Sequence, residues 1–368
     1  MLRSAVVVVI RTSTTLALGI VVVIGVAAWP DAPLAQPAAQ TPAVTARRLP
    51  QNPLVTTRTS ASLGDNINGP TVTRVPAWVK QPLGRYYMYF AHHMGGFIRL
   101  AYSDAIGGPW KIHEPGVMQV RDTALFRPQP DLPENLENFY THVASPEIEI
   151  DHERQRLVLW FHGWWTEGKM WPIGEPAARE WARANGYSQF TQSATSNDGL
   201  HFTALPPITR TSYLRVWRRD GALLGMGRLG QLWRSPDALS AFEPGPNPFR
   251  GGAYANRVRH VALVQRGSLI HVFFTAIGDA PERILMSTVS LSGDWSTWTA
   301  STPVEVLQPE APFECATLPK VPSVAGDIKA PARQLRDPAI FEENGRTFLF
   351  YSFCGEQGIA AAELTFQR

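Results

Sequence analysis

Apolar runs of six to eight residues recur along the chain, each bounded by Gly, Pro, Asn, Asp or Ser, and each rich in β-branched and aromatic side chains. Such runs read as buried strands. They come in groups, and the groups share an opening phrase. The openings are Asn68-Gly69-Pro70-Thr71-Val72, Ser145-Pro146-Glu147-Ile148, Tyr213-Leu214-Arg215-Val216-Trp217, Arg259-His260-Val261-Ala262-Leu263 and Arg336-Asp337-Pro338-Ala339-Ile340. After each opening come a turn, a second apolar strand and a third strand that often ends in a Ser-Asp-aromatic cap. The groups cover 66–119, 142–202, 213–242, 257–306 and 335–365. The clearest strands are expected at Tyr86–Ala91, Phe97–Ser103, 157–162, 191–196, Leu269–Ala276, 284–289, 348–353 and 358–364.

A small antiparallel sheet cannot bury both its faces alone, and several of them pack radially into a propeller. The predicted fold is therefore all-β, a five-bladed β-propeller over 61–368. One stretch breaks the rhythm. Between strands two and three of blade two, 164–188 carries Trp164, Trp165, Trp171 and Trp181, and 175–184 reads as a short helical insertion opened by Pro172 and Pro176. In the caps, a short Asp side chain bonds turn amides and the aromatic plugs the gap between blades.

Composition adds a leader. Arg3 and Arg11 flank apolar runs, and Val26-Ala27-Ala28 offers the small residues that a signal peptidase needs, so 1–28 reads as a signal peptide or an N-terminal membrane anchor. Residues 29–60, rich in Pro, Ala and Thr, read as a flexible tether. The protein is then expected to be exported, periplasmic or extracellular, and monomeric, touching a membrane only through an uncleaved N-terminus. The 368 residues are 44% hydrophobic and 18% charged, enough for a large core and too apolar for disorder. A net charge of +3 with scattered Lys and Arg gives no nucleic-acid footprint. Export suits a bridge between Cys315 and Cys354, with two buried thiols as the alternative.

In four-stranded blades, the openings of the first strands and the loops between second and third strands share one face. That geometry gathers His92, His93, Asp279, Glu282, Glu356, Asn68, His142, Arg215, Arg259, His260, Arg336 and Asp337 around one funnel, with Glu314 on the long linker before blade five. Glycoside cleavage needs two carboxylates, one of them able to protonate the leaving oxygen. Glu282 is the candidate acid and Asp337 the candidate base or nucleophile, with Asp279 or Glu314 tuning them. Arg215, Arg259, Arg336, His260, His142, His92 and Glu356 are candidate substrate-binding residues, and forked guanidiniums would suit a carboxylate or sulfate. Trp164 and Trp165 offer flat faces for sugar rings. No ligand spacing is diagnostic of a metal, although His and Asp near a propeller axis leave room for a structural Ca2+.

The chain resembles the five-bladed propeller glycoside hydrolases of families 43, 62 and 117 and the related family 32. The resemblance rests on Ile98-Arg99-Leu100-Ala101-Tyr102-Ser103-Asp104 with Gly108-Pro109-Trp110, on the blade openings, and on Arg336-Asp337-Pro338. It implies a carbohydrate substrate and a catalytic Asp at the start of blade one, where this chain has Asn68, with Asp65 three residues earlier. It also implies an Asp in blade two, where Ser145 and Glu147 stand, and an acid Glu in blade three, which opens on Arg215. Phe313-Glu314-Cys315 and Arg336-Asp337-Pro338 match family 32 phrases in reverse order. The expected function is a glycoside hydrolase acting on a glycan, including an anionic one. The alternatives are a non-catalytic carbohydrate-binding propeller and a polysaccharide lyase on uronate-containing glycans.

Overall fold

Tyr86-Tyr87-Met88-Tyr89-Phe90-Ala91 is buried at every residue, so this strand has no solvent face. The computed structural model, which describes residues 44–125, 142–165 and 188–367, shows why. The strand lies between two neighbouring sheets. Tyr86, Met88 and Phe90 pack with Phe341, Phe348 and Phe350 on one side, whereas Tyr87, Tyr89 and Ala91 pack with Leu159 and Phe161 on the other. Period-two alternation sends successive side chains to opposite neighbours, and both neighbours are apolar.

The first strands among the described residues, β1 (Val44–Arg48) and β2 (Val55–Thr56), belong to the last sheet. Blade one is β3 (Asn68–Arg74), β4 (Tyr86–Ala91), β5 (Phe97–Ser103) and β6 (Lys111–Gln119). Blade two is β7 (Ala144–Asp151), β8 (Arg156–Trp165), β9 (Ser188–Ser196) and β10 (Thr203–Thr209). Blade three is β11 (Arg215–Arg219), β12 (Ala222–Met226), β13 (Leu232–Ser235) and β14 (Glu243–Pro244). Blade four is β15 (Val258–Arg266), β16 (Leu269–Ala276), β17 (Ile284–Ser290) and β18 (Val304–Leu307). Blade five is β19 (Leu335–Glu343), β20 (Arg346–Phe353) and β21 (Gly358–Phe366), with β1 as its outer strand. Every pairing within the blades is antiparallel. The five-bladed propeller expected from the sequence is the fold observed.

One detail differs from the sequence reading. Val44–Arg48 falls inside the segment read as a tether, yet it pairs with β21 from Val44↔Phe366 to Arg48↔Ala362 and closes the ring. The helical insertion expected at 175–184 lies outside the described residues, as do the leader 1–28 and most of the stretch after Trp165. Among the described residues no helix is long and apolar enough to cross a membrane. Cys315 and Cys354 form a disulfide that ties the blade-five linker to the end of β20.

The caps act through backbone bonds. Asp198 Oδ1 accepts from the amides of Leu200 and His201, at 2.8 and 2.9 Å, and Phe202 packs edge-on against Tyr89. Asp237 Oδ1 accepts from Leu239 and Ser240, both at 2.7 Å.

Candidate functional site

The innermost strands share a defect that aims side chains at the axis. Between Asn68↔Ala91 and Thr71↔Tyr89, β3 advances one residue more than β4. The same extra residue occurs between Ala144↔His162 and Glu147↔Trp160, between Val258↔Ala276 and Val261↔Phe274, and between Arg336↔Ser352 and Ala339↔Phe350. These are β-bulges, which bend a strand and redirect a side chain. The bulge residues are Gly69-Pro70, Ser145-Pro146, Arg259-His260 and Asp337-Pro338. Gly69, Ser145 and Asp337 take φ of 59°, 45° and 50°, and Tyr213, at the matching step before β11, takes 57°. A left-handed Tyr is uncommon and an observed outlier of this kind points toward function. Counting two residues back from Thr71, Glu147, Arg215, Val261 and Ala339 therefore gives one axial ring: Gly69, Ser145, Tyr213, Arg259 and Asp337.

Asp337 is fully buried. Its Oδ1 lies 2.5 Å from His260 Nδ1, close but not aligned as a hydrogen bond, and its Oδ2 accepts from Ser352 Oγ at 2.9 Å. Burial favours the neutral acid, but the fields of His260 and Arg336 and the Ser352 bond outweigh it and hold Asp337 well below the usual carboxylate range. Burial also pushes His260 down, more strongly than Asp337 pulls it up. The two titrations are linked, because the His260 field acts on Asp337 only when the ring is charged, whereas Arg336 and Ser352 favour the carboxylate in either case. The ring of Tyr213 packs edge-on against His260 at 4.1 Å and against His162 at 4.4 Å, and His142 follows at 6.3 Å from His162. Burial and the Asp337 charge push the Tyr213 hydroxyl up to about 12. Burial, with His142, His93, His260 and Arg228 around it, holds His162 well below its ordinary value.

A second group adjoins this one. Glu356 Oε1 accepts from Arg336 Nη1 at 2.8 Å, and its Oε2 accepts from Asn66 Nδ2 at 2.6 Å and Asn68 Nδ2 at 3.3 Å. His93 Nδ1 lies 3.4 Å from the same Oε2. Burial opposes charge on both, yet each stabilises the other's ion: His93 is raised and Glu356 is lowered. Glu282, fully buried, sits between Arg259 Nε at 2.8 Å and Arg336 Nε at 3.5 Å. Arg259 and Arg336 also both donate to the Gly326 carbonyl at 3.1 Å.

Buried polar atoms are normally hydrogen-bonded, and a cluster of exceptions needs a reason. Such exceptions are scattered through the described residues, but they gather most densely here: Asn68 Oδ1, both His260 nitrogens, both Glu282 carboxylate oxygens, Asp337 Oδ1, Arg336 Nη2 and Arg259 Nε lack a well-aligned partner.

Several expected site residues are placed elsewhere or differently engaged. Glu314 accepts from Arg48 Nε and Nη2 at 2.8 and 2.7 Å, and from the Tyr351 hydroxyl at 2.8 Å, fastening β1 to blade five rather than tuning the axial carboxylates. Asp279 pairs with Arg257 at 2.6 Å and Arg283 at 3.3 Å. Arg215 does not reach outward as a clamp. It bonds Glu147 and the carbonyls of Pro146 at 2.7 Å, Pro70 at 3.2 Å and Val261 at 3.2 Å, so it satisfies the bulge carbonyls of blades one and two and the strand carbonyl that follows the bulge of blade four. Arg259 and Arg336 likewise face internal carboxylates. His92 pairs with Asp65 at 3.0 Å. Trp165 packs on Phe190 at 4.8 Å, and Trp164 stands beside it at the end of β8. Tyr213 is an axial residue that the sequence reading did not single out, and His93, placed at the funnel, was given no role. Their signal was positional: His93 follows the second strand of blade one, and Tyr213 stands where Asp337 stands in its own blade. Among the described residues no three His, Cys, Asp or Glu side chains are arranged to hold a metal.

Bulged inner strands around a buried polar axis define a five-bladed propeller with the architecture of family 43 glycoside hydrolases. An α-L-arabinofuranosidase from Lactobacillus brevis is similar over 85% of this chain and 92% of its own, at 12% identity and a TM-score of 0.52. The GH43_1 enzyme from Xanthomonas citri complexed with xylotriose is similar over 85% and 88%, at 14% identity and a TM-score of 0.52. No family model matches the chain. In sequence it is 33% identical over 342 residues to "Uncharacterized protein R118" of Acanthamoeba polyphaga mimivirus, covering 86% of this chain and 89% of that protein, and it belongs to the same family.

Proposed function

We propose that this protein is a glycan-cleaving enzyme, a glycosidase, whose reactive carboxylate is Asp337. The observation that carries the proposal is the placement of Asp337, the carboxylate of the axial ring: it is fully buried, 2.5 Å from His260 Nδ1, with Ser352 Oγ on its other oxygen and unpartnered polar atoms around it, and Arg336 and Ser352 favour its charged form. An ionised, fixed carboxylate can take a proton from water or attack an anomeric carbon. Glu282 is committed to two guanidiniums and serves as their counter-ion, so the role of proton donor moves to His93, the histidine whose charged form is favoured. Arg336, Asn68 and Tyr213 would orient the sugar. The Cys315–Cys354 bridge supports an exported protein, since disulfides persist in oxidising compartments.

The full chain, assayed for new reducing ends on a panel of neutral and acidic oligosaccharides, should cleave one class, and Asp337→Asn should lower turnover about 10²–10⁴-fold with unchanged circular dichroism. Full activity of that variant removes Asp337 from the reaction. A second reading is supported by the ion-paired state of Glu282 and Glu356: a propeller that binds glycans without cleaving them. Tight binding of a glycan with no turnover would establish it. An ultraviolet-absorbing unsaturated product would instead indicate β-elimination.

A further inference from the structure

The charges buried near the axis nearly cancel. Glu282, Glu356 and Asp337 face Arg259, Arg336 and a His93 whose charged form is favoured. One nearby cation is left over. Arg228 follows β12, its amide donates to the Ser212 carbonyl at 2.9 Å, and its side chain is exposed. Among the described residues no carboxylate pairs with it. The Ser212 bond fixes it next to the opening of blade three, close enough for its charge to act on both Tyr213 and His162. Ser212 directly precedes Tyr213, whose ring packs at 4.1 Å on His260, the neighbour of the reactive carboxylate, so Arg228 is anchored one residue from the axial ring. Deeper in, Arg336 Nη2 and His260 Nε2 are buried without an aligned partner among the described residues. An uncompensated guanidinium beside a neutral, donor-rich wall suits a substrate that brings its own negative charge.

We infer that Arg228 is the specificity-determining residue of this site and that the glycan carries an anionic substituent, a carboxylate or a sulfate ester, seated between Arg228 and Tyr213. This rests on the glycan-acting reading and deepens it. Arg215, Arg259 and Arg336 do not supply this charge, because their guanidiniums are paired with Glu147, Glu282 and Glu356; Arg336 Nη2 offers a hydrogen bond but no uncompensated charge.

The test is isothermal titration of the full chain with three matched oligosaccharides: one bearing a uronate, its carboxyl-reduced form, and its sulfate-ester form. The uronate or the sulfate ester should bind about tenfold or more tightly than the neutral form, as one charge-assisted contact provides. Whichever anion binds better identifies the source of the charge. Arg228→Gln should bring that ratio close to one, and Arg228→Lys should keep part of it. Circular dichroism of both variants should match the wild type, since the side chain is exposed. Equal binding of neutral and anionic forms, or an unchanged ratio in Arg228→Gln, overturns the inference and leaves the glycan reading standing. Binding of none of the three overturns both.

Discussion

Three carboxylates lie buried near the axis, and their partners give each a different part. Asp337 has a histidine and a serine, Glu282 has two arginines, and Glu356 has an arginine, a histidine and two asparagines. Removing the charge of Glu356 would take from Arg336, itself fully buried, its closer ion-pair partner and leave the 3.5 Å contact to Glu282 beside neutral bonds to Gln334 and Gly326. Glu356→Gln should therefore cost about 3 kcal/mol, read as a lower urea midpoint, because an uncompensated buried charge is left behind. The pH dependence has a definite sign. Asp337 and Glu356 have folded-state values lowered from those of the unfolded chain. Their contribution is complete above about pH 4–5, and it is lost as pH falls through the lowered folded values. His93 is raised, so its contribution is complete below about pH 6 and is lost as pH rises through its folded value. Urea midpoints of the wild type should fall on both sides, and Glu356→Gln should flatten both slopes. The Arg336-Asp337-Pro338 phrase was legible in the sequence because it stands where the other blades carry their opening phrases, and it lies at the bulged start of β19. The partners of Arg215 were not legible, since they come from three other blades, and Arg259 and Arg336 turn inward to Glu282 and Glu356 only because the second-to-third loops of their own blades fold back over the axis.

At the level of single elements, the bulge controls which residues see the axis. Gly69 shows how tight that ring is: a Cβ there would lie 2.9 Å from Ser145 Cα, with φ already at 59°. This also gives a physical reason why the blade-one step carries no carboxylate: its backbone touches blade two. Gly69→Ala should cost about 1–3 kcal/mol from the strained φ alone, with the backbone contact adding to it. A melting temperature equal to that of the wild type would show that the two blades can part at no cost. The strands themselves were largely readable. Leu269–Ala276 and Tyr86–Ala91 were found to the residue, because aromatic and β-branched runs bounded by turns have few other readings. Val44–Arg48 was missed, since Val-Thr-Ala-Arg-Arg sits in a Pro- and Thr-rich tract and alternates buried and exposed only once its partner β21 arrives from the far end of the chain.

For the molecule as a whole, stability depends on the seam in blade five. Three devices meet there: the β1–β21 ladder, Arg48 on Glu314, and the Cys315–Cys354 bridge between linker and β20. The bridge spans 39 residues and should contribute about 3–4 kcal/mol by restricting the unfolded chain. The paired variant Cys315→Ser with Cys354→Ser should melt several degrees lower in calorimetry, and an unchanged melting point would mean that the ladder and the Arg48–Glu314 pair suffice. Radial repetition was visible from the recurring openings. The means of closing the circle was not, because it joins the two most distant strands of the folded domain.

That closure has a topological consequence. Val44 and Phe366 are register partners, so the first and last strand residues lie side by side. A short hairpin turn could span them. Joining them and cutting in a loop between two other blades would give a circular permutant that keeps every rung of the same ladders, which makes the order of the blades along the polypeptide interchangeable while their order around the axis stays fixed.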